Sequence, residues 1–314
     1  MYPAVAMLAA IRLGVFTPLA EAPLDAEGLG RALDLRADKL EPLLYALVIA
    51  ELLTVEDGRF ANTAVAGHYL VRGKAGYSGG GTRLQTDVWH SDLRTAETIL
   101  SGAPNARLDF AGTSETELMA FYRAEHGGAL AEGRALVETL DLCRHGRLLD
   151  VASGSGGLSI AACEACPGLR ATVAELPSVA PLTRRFIAEA GMTERIDAQA
   201  VDLVAGPPDG RFDVAVLRNF IQVISRDQAR RALRHVGQAL APGGEICISG
   251  WVLDDSGLAP VEIAGSNYAF LNIYDEGRAY TEAEHRDWLA AAGFVDFARR
   301  VVAGGKSLVT ARKA

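Results

Sequence analysis

The stretch "LLDVASGSGG" (residues 148–157) decides the fold, because an apolar strand in it runs directly into glycines and then into a helix. Glycine lets a ligand approach the backbone, and the first turn of a helix offers free N–H groups. A dinucleotide site would have a third glycine where this chain has Ser159. The acidic Asp150 before the loop favours a ligand that carries an ammonium group over one that carries a pyrophosphate.

Strands and helices alternate from this loop onward. The runs "RATVAEL", "RIDAQAVDL", "RFDVAVLRNFI" and "GEICISGWVL" are typical of strands, and helical patterns separate them. The last two runs, "FVDFARRVVAG" and "KSLVTARK", meet at Gly304-Gly305, so we expect an antiparallel pair. Residues 144–314 are therefore predicted to form an α/β domain with a doubly wound, mostly parallel seven-stranded sheet and an antiparallel C-terminal hairpin.

Two other segments precede this domain. Residues 1–80 contain helical patterns followed by a hairpin signal at Asp57-Gly58, the order of an α-helical winged-helix domain. Its helix "KLEPLLYALVIAELL" (39–53) is apolar on most faces, which favours burial against a second copy of the chain over DNA binding. The glycine-rich stretch 72–82 predicts a boundary, and residues 81–143 are expected to form a helical connector with substrate-pocket helices.

The composition is that of a globular protein, with 49% apolar and 22% charged residues. A net charge of -8 argues against nucleic acid or an anionic membrane as the main partner. No apolar run reaches the length of a membrane span, and the first residues lack the features of a signal peptide. We therefore expect a cytoplasmic protein with a small-molecule ligand.

The four cysteines are expected to be reduced thiols. Cys163 and Cys166 have the spacing of one helix face, where free cysteine behaves as a small hydrophobic residue. A redox or metal role for this pair stays open, although no second Cys/His pair completes a zinc site and no metal is predicted.

Acidic residues end the strands that follow the loop. Glu175 ends "TVAEL", where a carboxylate can accept both hydroxyls of a ribose. Asp202 ends "AVDL" and could meet an adenine amino group. Either acid alone could be a solvated strand end, but three acids beside one glycine loop, with Asp150, predict a nucleoside-containing ligand.

The chain resembles the S-adenosylmethionine-dependent O-methyltransferases of the plant caffeate and bacterial hydroxyindole type. The resemblance rests on "LLDVASGSGG", "VAELPSV", "AVDL", "LRNFIQVISRDQ", "ALAPGGEICIS" and "TEAEHRDWLAAAGF", which occur in the family's order over nearly the whole chain. It implies a class I methyltransferase fold, S-adenosylmethionine as the cofactor, and a homodimer built through the N-terminal winged-helix domain.

The resemblance also implies roles for individual residues. Gly154 and Gly156 would contact the methionine part of the cofactor, and Asp150 would organise the loop. The other cofactor contacts would be Glu175 with Leu176 at the ribose, Asp202 with Leu203 at the adenine, and Arg218 where the family has a lysine.

The residues that the family uses as a base are absent. Its catalytic histidine aligns with Gln222, and the two glutamates that orient the histidine align with Gly250 and Ala279. Gln222 could orient an acceptor through hydrogen bonds without removing a proton, or it could cap local backbone. Acidic phenols or enols, amines and electron-rich carbon atoms could react by positioning alone.

A replacement base is possible in "FYRAEHGG", where His126 lies close to Tyr122 and Glu125. An isolated helical histidine is also often structural, and His90 is a weaker candidate. The stretch "SNYAFLNIYDEGR" (266–278) is expected to form the far wall of the pocket. Its candidate pocket residues are Asn267, Phe270 and Asn272.

Together these patterns predict methyl transfer to a small, aromatic or polyketide-like acceptor, with an oxygen as the favoured atom. One alternative is an enzyme of the same fold that binds S-adenosylmethionine but catalyses hydroxylation, decarboxylation or cyclisation, aided by the cofactor's charge. A second alternative is a winged-helix regulator that senses a metabolite.

Overall fold

The computed structural model describes residues 2–74, 76–77, 79 and 82–314. The chain divides into two compact units. One comprises Met1–Thr86 with Arg123–Gly127, and the other comprises Asp87–Tyr122 with Gly128–Ala314. The boundary predicted at 72–82 includes residues 75, 78, 80 and 81, which lie outside the described residues.

The N-terminal unit has the helices-then-hairpin order that the sequence predicts. Its elements are α1 (Tyr2–Leu13), α2 (Ala26–Leu33), α3 (Ala37–Ile49), β1 (Leu53–Glu56), β2 (Arg59–Asn62) and α4 (Ala64–Tyr69). Asp25 caps α2 by accepting a 2.7 Å hydrogen bond from the Gly28 backbone N–H. Asp57 and Gly58 have φ values of 47° and 73°, which a two-residue hairpin turn with matching twist requires.

Helix α3 buries one face and exposes another. Leu40, Leu44 and Leu47 pack into the core of the N-terminal unit. Tyr45 and Ile49 are 48% and 81% exposed, respectively. The apolar character of α3 therefore exceeds what this unit's own core can bury.

The second unit contains the predicted seven-stranded sheet. The elements after α4 are α5 (Thr82–Asp92), α6 (Thr95–Ser101), α7 (Glu115–Thr139), β3 (Arg147–Val151), α8 (Gly157–Ala165), β4 (Arg170–Glu175), α9 (Ala180–Glu189), β5 (Ile196–Ala200), β6 (Phe212–Arg218), α10 (Arg226–Ala239), β7 (Leu240–Gly250), β8 (Val252–Leu253), α11 (Val261–Ser266), α12 (Ala269–Ile273), β9 (Tyr280–Thr281), α13 (Glu282–Ala291), β10 (Phe294–Val301) and β11 (Ser307–Lys313). Residues 82–86 of α5 and Arg123–Gly127 of α7 group with the N-terminal unit. The strand order is β10-β11-β7-β6-β3-β4-β5. Strands β3 to β7 pair in parallel, and β11 pairs antiparallel with both β7 and β10. The α/β prediction is confirmed.

Helices cover both faces of this sheet. One core cluster includes Phe212 of β6, Leu233 of α10 and Trp288 of α13. The other includes Leu158 of α8 and Phe186 of α9. Because helices cover both faces, ligands can reach the sheet at the ends of its strands. Parallel strands present their carboxyl ends together there.

Two helices near the site begin with complete capping boxes. Ser225 accepts from the N–H of Gln228 at the start of α10, and the Gln228 side chain accepts from the Ser225 N–H. Thr281 and Glu284 form the same reciprocal pair at the start of α13. The helix start predicted at Ser225 is confirmed. The segment that connects β6 to α10 is therefore limited to residues 219–225.

None of the helices in the described ranges combines the length and the apolar character that spanning a bilayer requires.

The cysteines differ from the prediction in two ways. Cys143 and Cys166 form a disulfide, so the expectation of four reduced thiols is wrong for this pair. Cys166 is the residue after the last turn of α8, not on a face shared with Cys163. Cys163 and Cys247 are free and buried, as small core residues are. The bridge ties the chain just after α7 to the end of α8.

We expect the Cys143–Cys166 bridge to stabilise the second unit, because it closes a loop with a sequence separation of 23 residues. The loop-closure model gives about 3 kcal/mol for such a bridge. Urea unfolding of the wild type should therefore shift to lower denaturant on reduction, whereas unfolding of Cys143→Ser should not respond to reductant. Peptide mapping without reductant that found both thiols free would contradict the pairing.

Candidate cofactor and acceptor site

The loop between β3 and α8 adopts left-handed backbone conformations. Gly154 and Gly156 have φ values of 65° and 71°, which glycine adopts at little cost. Ala152 has a φ of 53°, and a side chain there costs about 1 kcal/mol or more. The Ala152 N–H donates to the Ala174 carbonyl at 2.9 Å, so the neighbouring strand holds the strained residue in place.

Helix α7 packs directly on this loop. A Cβ on Gly154 would lie 2.3 Å from Cε1 of Tyr122, and a Cβ on Gly157 would lie 2.7 Å from Cβ of Ala129. Both glycines are therefore required by close approach of α7. As a result, the Tyr122 ring covers the part of the loop that the sequence predicts to contact the cofactor.

Asp150 holds the loop to the first turn of α8. The side chain is fully buried, and Oδ2 accepts from the backbone N–H and the hydroxyl of Ser159 at 3.1 and 2.7 Å. Burial raises the pKa of Asp150, and the hydrogen bonds from Ser159 act in the opposite direction. Ser159, which stands where a dinucleotide loop has glycine, is therefore the partner that fixes this acid.

Glu175 is connected directly to the loop. Its side chain is 4% exposed, Oε1 accepts from the Gly154 N–H at 2.6 Å, and Oε2 accepts from the Leu176 N–H at 3.0 Å. Burial raises the pKa of Glu175 to about 7, although both backbone donors act to lower it. Each carboxylate oxygen keeps a lone pair for a further donor, such as a ribose hydroxyl.

Thr183 is a site residue that the sequence analysis missed. Its hydroxyl donates to the Gly154 carbonyl at 2.6 Å, and the side chain is fully buried on α9. A threonine inside an apolar helix pattern gives no sequence signal for such a role. Thr183 and Glu175 together fix both polar groups of the Gly154 backbone.

Asp202 and Leu203 lie just beyond the end of β5. Asp202 is exposed, and its Oδ1 accepts from the Val204 N–H at 2.9 Å. Leu203 is buried, and its carbonyl is 2.7 Å from Nδ1 of His235. The Val201 N–H donates to the Glu175 carbonyl at 2.7 Å, which places this segment beside the residue predicted to hold the ribose.

Arg218 ends β6 inside a cluster of charges. Its guanidinium donates to Glu132 of α7 at 3.0 Å, and Lys306 donates to the other carboxylate oxygen at 3.0 Å. Although burial acts to raise it, the two cations hold the pKa of Glu132 below its ordinary value. The sequence analysis missed Glu132 and Lys306, because residues so far apart along the chain give no local signal.

Three buried polar atoms at this edge have no hydrogen-bond partner among the described residues. They are Oδ1 of Asp150, Oγ of Ser153 and Nε of Arg218. Asp150 and Arg218 lie on adjacent strands, because β3 pairs with β6 in parallel. Two acceptors and one cationic donor suit the ammonium and carboxylate groups of an amino acid, so the residues present fit the methionine part of S-adenosylmethionine.

Gln222 is buried directly after β6, with 5% of its surface exposed. Its Nε2 donates to Oδ1 of Asn219 at 3.3 Å. Its Oε1 lies against Gly250 at the end of β7, where a Cβ would be only 2.5 Å away. The amide therefore fills the space that a side chain at position 250 would need.

Aromatic rings in the segments after β7 contact one another. Trp251 follows Gly250, and its ring meets that of Phe270 at 4.8 Å between centroids. The Phe270 ring meets that of Tyr274 at 5.9 Å. A Cβ on Gly277 would lie 2.8 Å from the Gln222 carbonyl and 2.9 Å from Cβ of Tyr274, so Gly277 packs closely against both residues.

The two phenols near the site are poor bases. Burial raises the pKa of Tyr274 to about 12. Burial also raises the pKa of Tyr122, and the Glu175 carboxylate and Tyr274 contribute further. Both hydroxyls therefore stay protonated at neutral pH and can serve as hydrogen-bond donors.

The two asparagines of the predicted pocket wall bond to the protein itself. Oδ1 of Asn267 accepts from the Ala279 N–H at 2.7 Å. Asn272 is fully buried, and its Nδ2 donates to Asp92 and Thr95 at 3.0 and 2.9 Å. The structure therefore does not bring the Asn272 amide to the site, because Asp92 at the end of α5 and Thr95 at the start of α6 accept both hydrogens of its Nδ2.

Glu125 and His126 lie on α7 in the stretch Arg123–Gly127, which groups with the N-terminal unit. Glu125 is exposed and His126 is half-buried, and both have interaction partners. A role for His126 as a base remains a prediction. His90, the weaker candidate, is exposed near the end of α5.

The fold and the loop define a class of protein. A seven-stranded sheet of this order, with an acid-anchored glycine loop after β3 and a buried acid at the end of β4, is that of a class I S-adenosylmethionine-dependent methyltransferase.

Comparisons with known proteins identify the family. The sequence model of the O-methyltransferase domain matches residues 100–295, and that of the O-methyltransferase dimerisation domain matches residues 2–72. The 3-hydroxy-5-methyl-1-naphthoate 3-O-methyltransferase of Streptomyces sahachiroi is 35% identical over 297 residues, which cover 91% of this chain and 84% of that protein. Acetylserotonin O-methyltransferase of Bos taurus is 30% identical over 332 residues, which cover 98% and 93%.

A solved structure agrees on the fold. Human N-acetylserotonin methyltransferase in complex with SAM superposes with a TM-score of 0.84 at 23% identity, over 99% of this chain and 94% of that one. The protein therefore belongs to the S-adenosylmethionine-dependent O-methyltransferase family, and S-adenosylmethionine is its cofactor. The resemblance seen in the sequence is confirmed.

We expect Glu175 to decide cofactor affinity. Glu175→Gln keeps an oxygen for the Gly154 N–H but loses the charge, so affinity for S-adenosylmethionine should fall about tenfold, and Glu175→Ala should lose about a hundredfold. Calorimetric titration with S-adenosylmethionine and S-adenosylhomocysteine measures both. Wild-type affinity in Glu175→Ala would remove this residue from the site.

Cofactor affinity should also depend on pH. Burial raises the pKa of Glu175 to about 7, and ribose hydroxyls donate best to the ionised form. As pH falls below 7 the carboxylate takes up a proton, so the dissociation constant should rise to a limit about tenfold above its high-pH value, the loss expected for the neutral Glu175→Gln, and it should level off above 7. Glu175→Gln is the control. Its cofactor affinity can change with pH only through groups other than residue 175, such as those of the ligand, so the change near pH 7 should be absent.

Proposed function

We propose that the protein methylates a hydroxyl oxygen of a small aromatic or polyketide-like acceptor, and that binding geometry does most of the work. The observation that carries this proposal is Gln222, a residue that does not titrate, buried between Asn219 and Gly250 beside an aromatic wall. The hydroxynaphthoate in the name of the Streptomyces sahachiroi relative is a flat acceptor that such a wall suits.

S-adenosylmethionine supplies an electrophilic methyl group on a positively charged sulfur. In the proposed complex, residues of the strand ends and of the glycine loop hold it at three places. These are Asp150, Gly154, Gly156 and Arg218 at the methionine part, Glu175 with Leu176 at the ribose, and Asp202 with Leu203 at the adenine.

The acceptor would lie between the cofactor loop and Gln222. The rings of Tyr122, Phe270 and Tyr274 would flank its flat surface. The Gln222 amide would donate a hydrogen bond to the reacting oxygen and hold it in line with the methyl group. Orientation at contact distance can supply much of the rate of such a transfer. A phenol or enol that is partly ionised near neutral pH then needs no protein base.

His126, with Glu125 beside it on α7, stays the candidate for a base if the acceptor is weakly acidic. Asn267 would take part only indirectly, because its side chain holds the Ala279 backbone. Transfer without a protein base and transfer with His126 as the base predict different dependences of the rate on pH.

The role of Gln222 can be measured with 3-hydroxy-1-naphthoate and ring-substituted analogues of graded acidity. Gln222→Ala should lower kcat about tenfold through lost orientation, with cofactor affinity unchanged. The pH at which kcat/KM levels off should follow the acidity of the acceptor, and His126→Ala should leave that profile in place.

Two results would contradict this proposal. Loss in His126→Ala of the limb on which kcat/KM rises with pH would identify a protein base. Conversion of an acceptor without formation of S-adenosylhomocysteine would favour the same-fold alternative that hydroxylates, decarboxylates or cyclises its substrate.

We also propose that the protein acts as a homodimer, without nucleic acid or a membrane as partner. The dimerisation-domain match and the exposed Tyr2, Tyr45 and Ile49 of the N-terminal unit support the dimer. The net charge of -8 speaks against polyanionic partners. Sedimentation analysis tests the dimer directly.

A further inference from the structure

The turn after β6 has an unusual conformation at Asn219. This residue has a φ of 54°, a left-handed conformation that asparagine tolerates better than most residues. Its N–H donates to the Ser249 carbonyl at 2.8 Å, so the backbone here is fixed to β7. Oδ1 of its side chain accepts from Nε2 of Gln222, three residues further along the chain.

The Gln222 side chain has little freedom. Nε2 is bound to Asn219, and Oε1 lies 2.5 Å from the position that a Cβ on Gly250 would take. The Gln222 backbone is also confined, because a Cβ on Gly277 would lie 2.8 Å from its carbonyl. A side chain at position 250 would therefore require the Gln222 amide to move.

Gly250 is glycine because of space. Its φ is not in the left-handed region, so any residue could adopt its backbone conformation. The atom that excludes a side chain is Oε1 of Gln222, and the next nearest atom is Cδ of the same residue at 3.4 Å. Positions 222 and 250 therefore depend on each other.

We propose that Asn219, Gln222 and Gly250 form one positioning unit, in which Asn219 fixes the orientation of the Gln222 amide and the absent side chain at 250 provides its space. The proposal rests on the proposed function in one respect, that Gln222 contacts the acceptor. Asn219 occupies one hydrogen of Nε2, and the second hydrogen is the one the unit offers to the acceptor. The unit thus selects acceptors with an electron-rich oxygen, a phenolate, enolate or carbonyl, at the reacting position.

The spatial part of the proposal is tested by suppression, without an acceptor. Gly250→Ala should lower the melting temperature by roughly 3–8 °C, because the methyl group displaces the amide. Gln222→Ala/Gly250→Ala should recover most of that loss. Gly265→Ala on α11 is the matched control, because a Cβ there has no atom within 4 Å. A double variant as unstable as Gly250→Ala would overturn the unit.

The orientation part is tested by kinetics with 3-hydroxy-1-naphthoate. Asn219→Gly keeps the left-handed backbone and removes only Oδ1, so kcat should fall about as much as in Gln222→Ala, roughly tenfold, with cofactor affinity within twofold of wild type. Asn219→Gly/Gln222→Ala should be no slower than either single variant. Asn219→Asp keeps an oxygen acceptor and should retain most of the activity.

The outcomes separate the two proposals. If the losses in the double variant multiply, Asn219 does not act through Gln222 and the unit is overturned. If suppression holds but Gln222→Ala keeps full activity, the unit exists and the proposed contact between Gln222 and the acceptor is wrong.

Discussion

Gly154 is held from both sides, since its N–H donates to Glu175 at 2.6 Å and its carbonyl accepts from Thr183 at 2.6 Å. These two bonds come from the end of β4 and from α9, so the loop after β3 takes its shape from its neighbours as well as from its own glycines. Tyr122 then packs on the same glycine. Three elements, β4, α9 and α7, thus contact one backbone position in this loop.

Much of the fold follows from local patterns. Strands β3 and β4 are short apolar runs with an acid near their carboxyl ends, and this is visible residue by residue in "LLDVAS" and "TVAEL". Asp150 and Glu175 could be picked out because strand ends of a parallel sheet share one edge. The helix cap at Ser225 and the turn at Gly304-Gly305 could also be predicted, because caps and turns depend on a few adjacent residues.

What the sequence did not reveal depends on contacts between distant residues. The partners Cys143 and Cys166 are separated by a strand and a helix, and no spacing rule pairs them. Thr183 lies on the buried face of α9, and the helical spacing alone explains its burial, so its sequence position gives no sign of the bond to Gly154. Asn272 belongs to a stretch rich in aromatic residues, yet its amide turns to Asp92, because a buried amide must find partners wherever the packing provides them.

Glu132 has a consequence for how this chain can change in evolution. One carboxylate serves both Arg218 and Lys306, whose side chains are only 15% and 31% exposed. Losing it would leave two poorly hydrated cations close together, whereas losing one cation still leaves a matched pair. Substitutions at these three positions should therefore be correlated among relatives, with the acid the last of the three to vary.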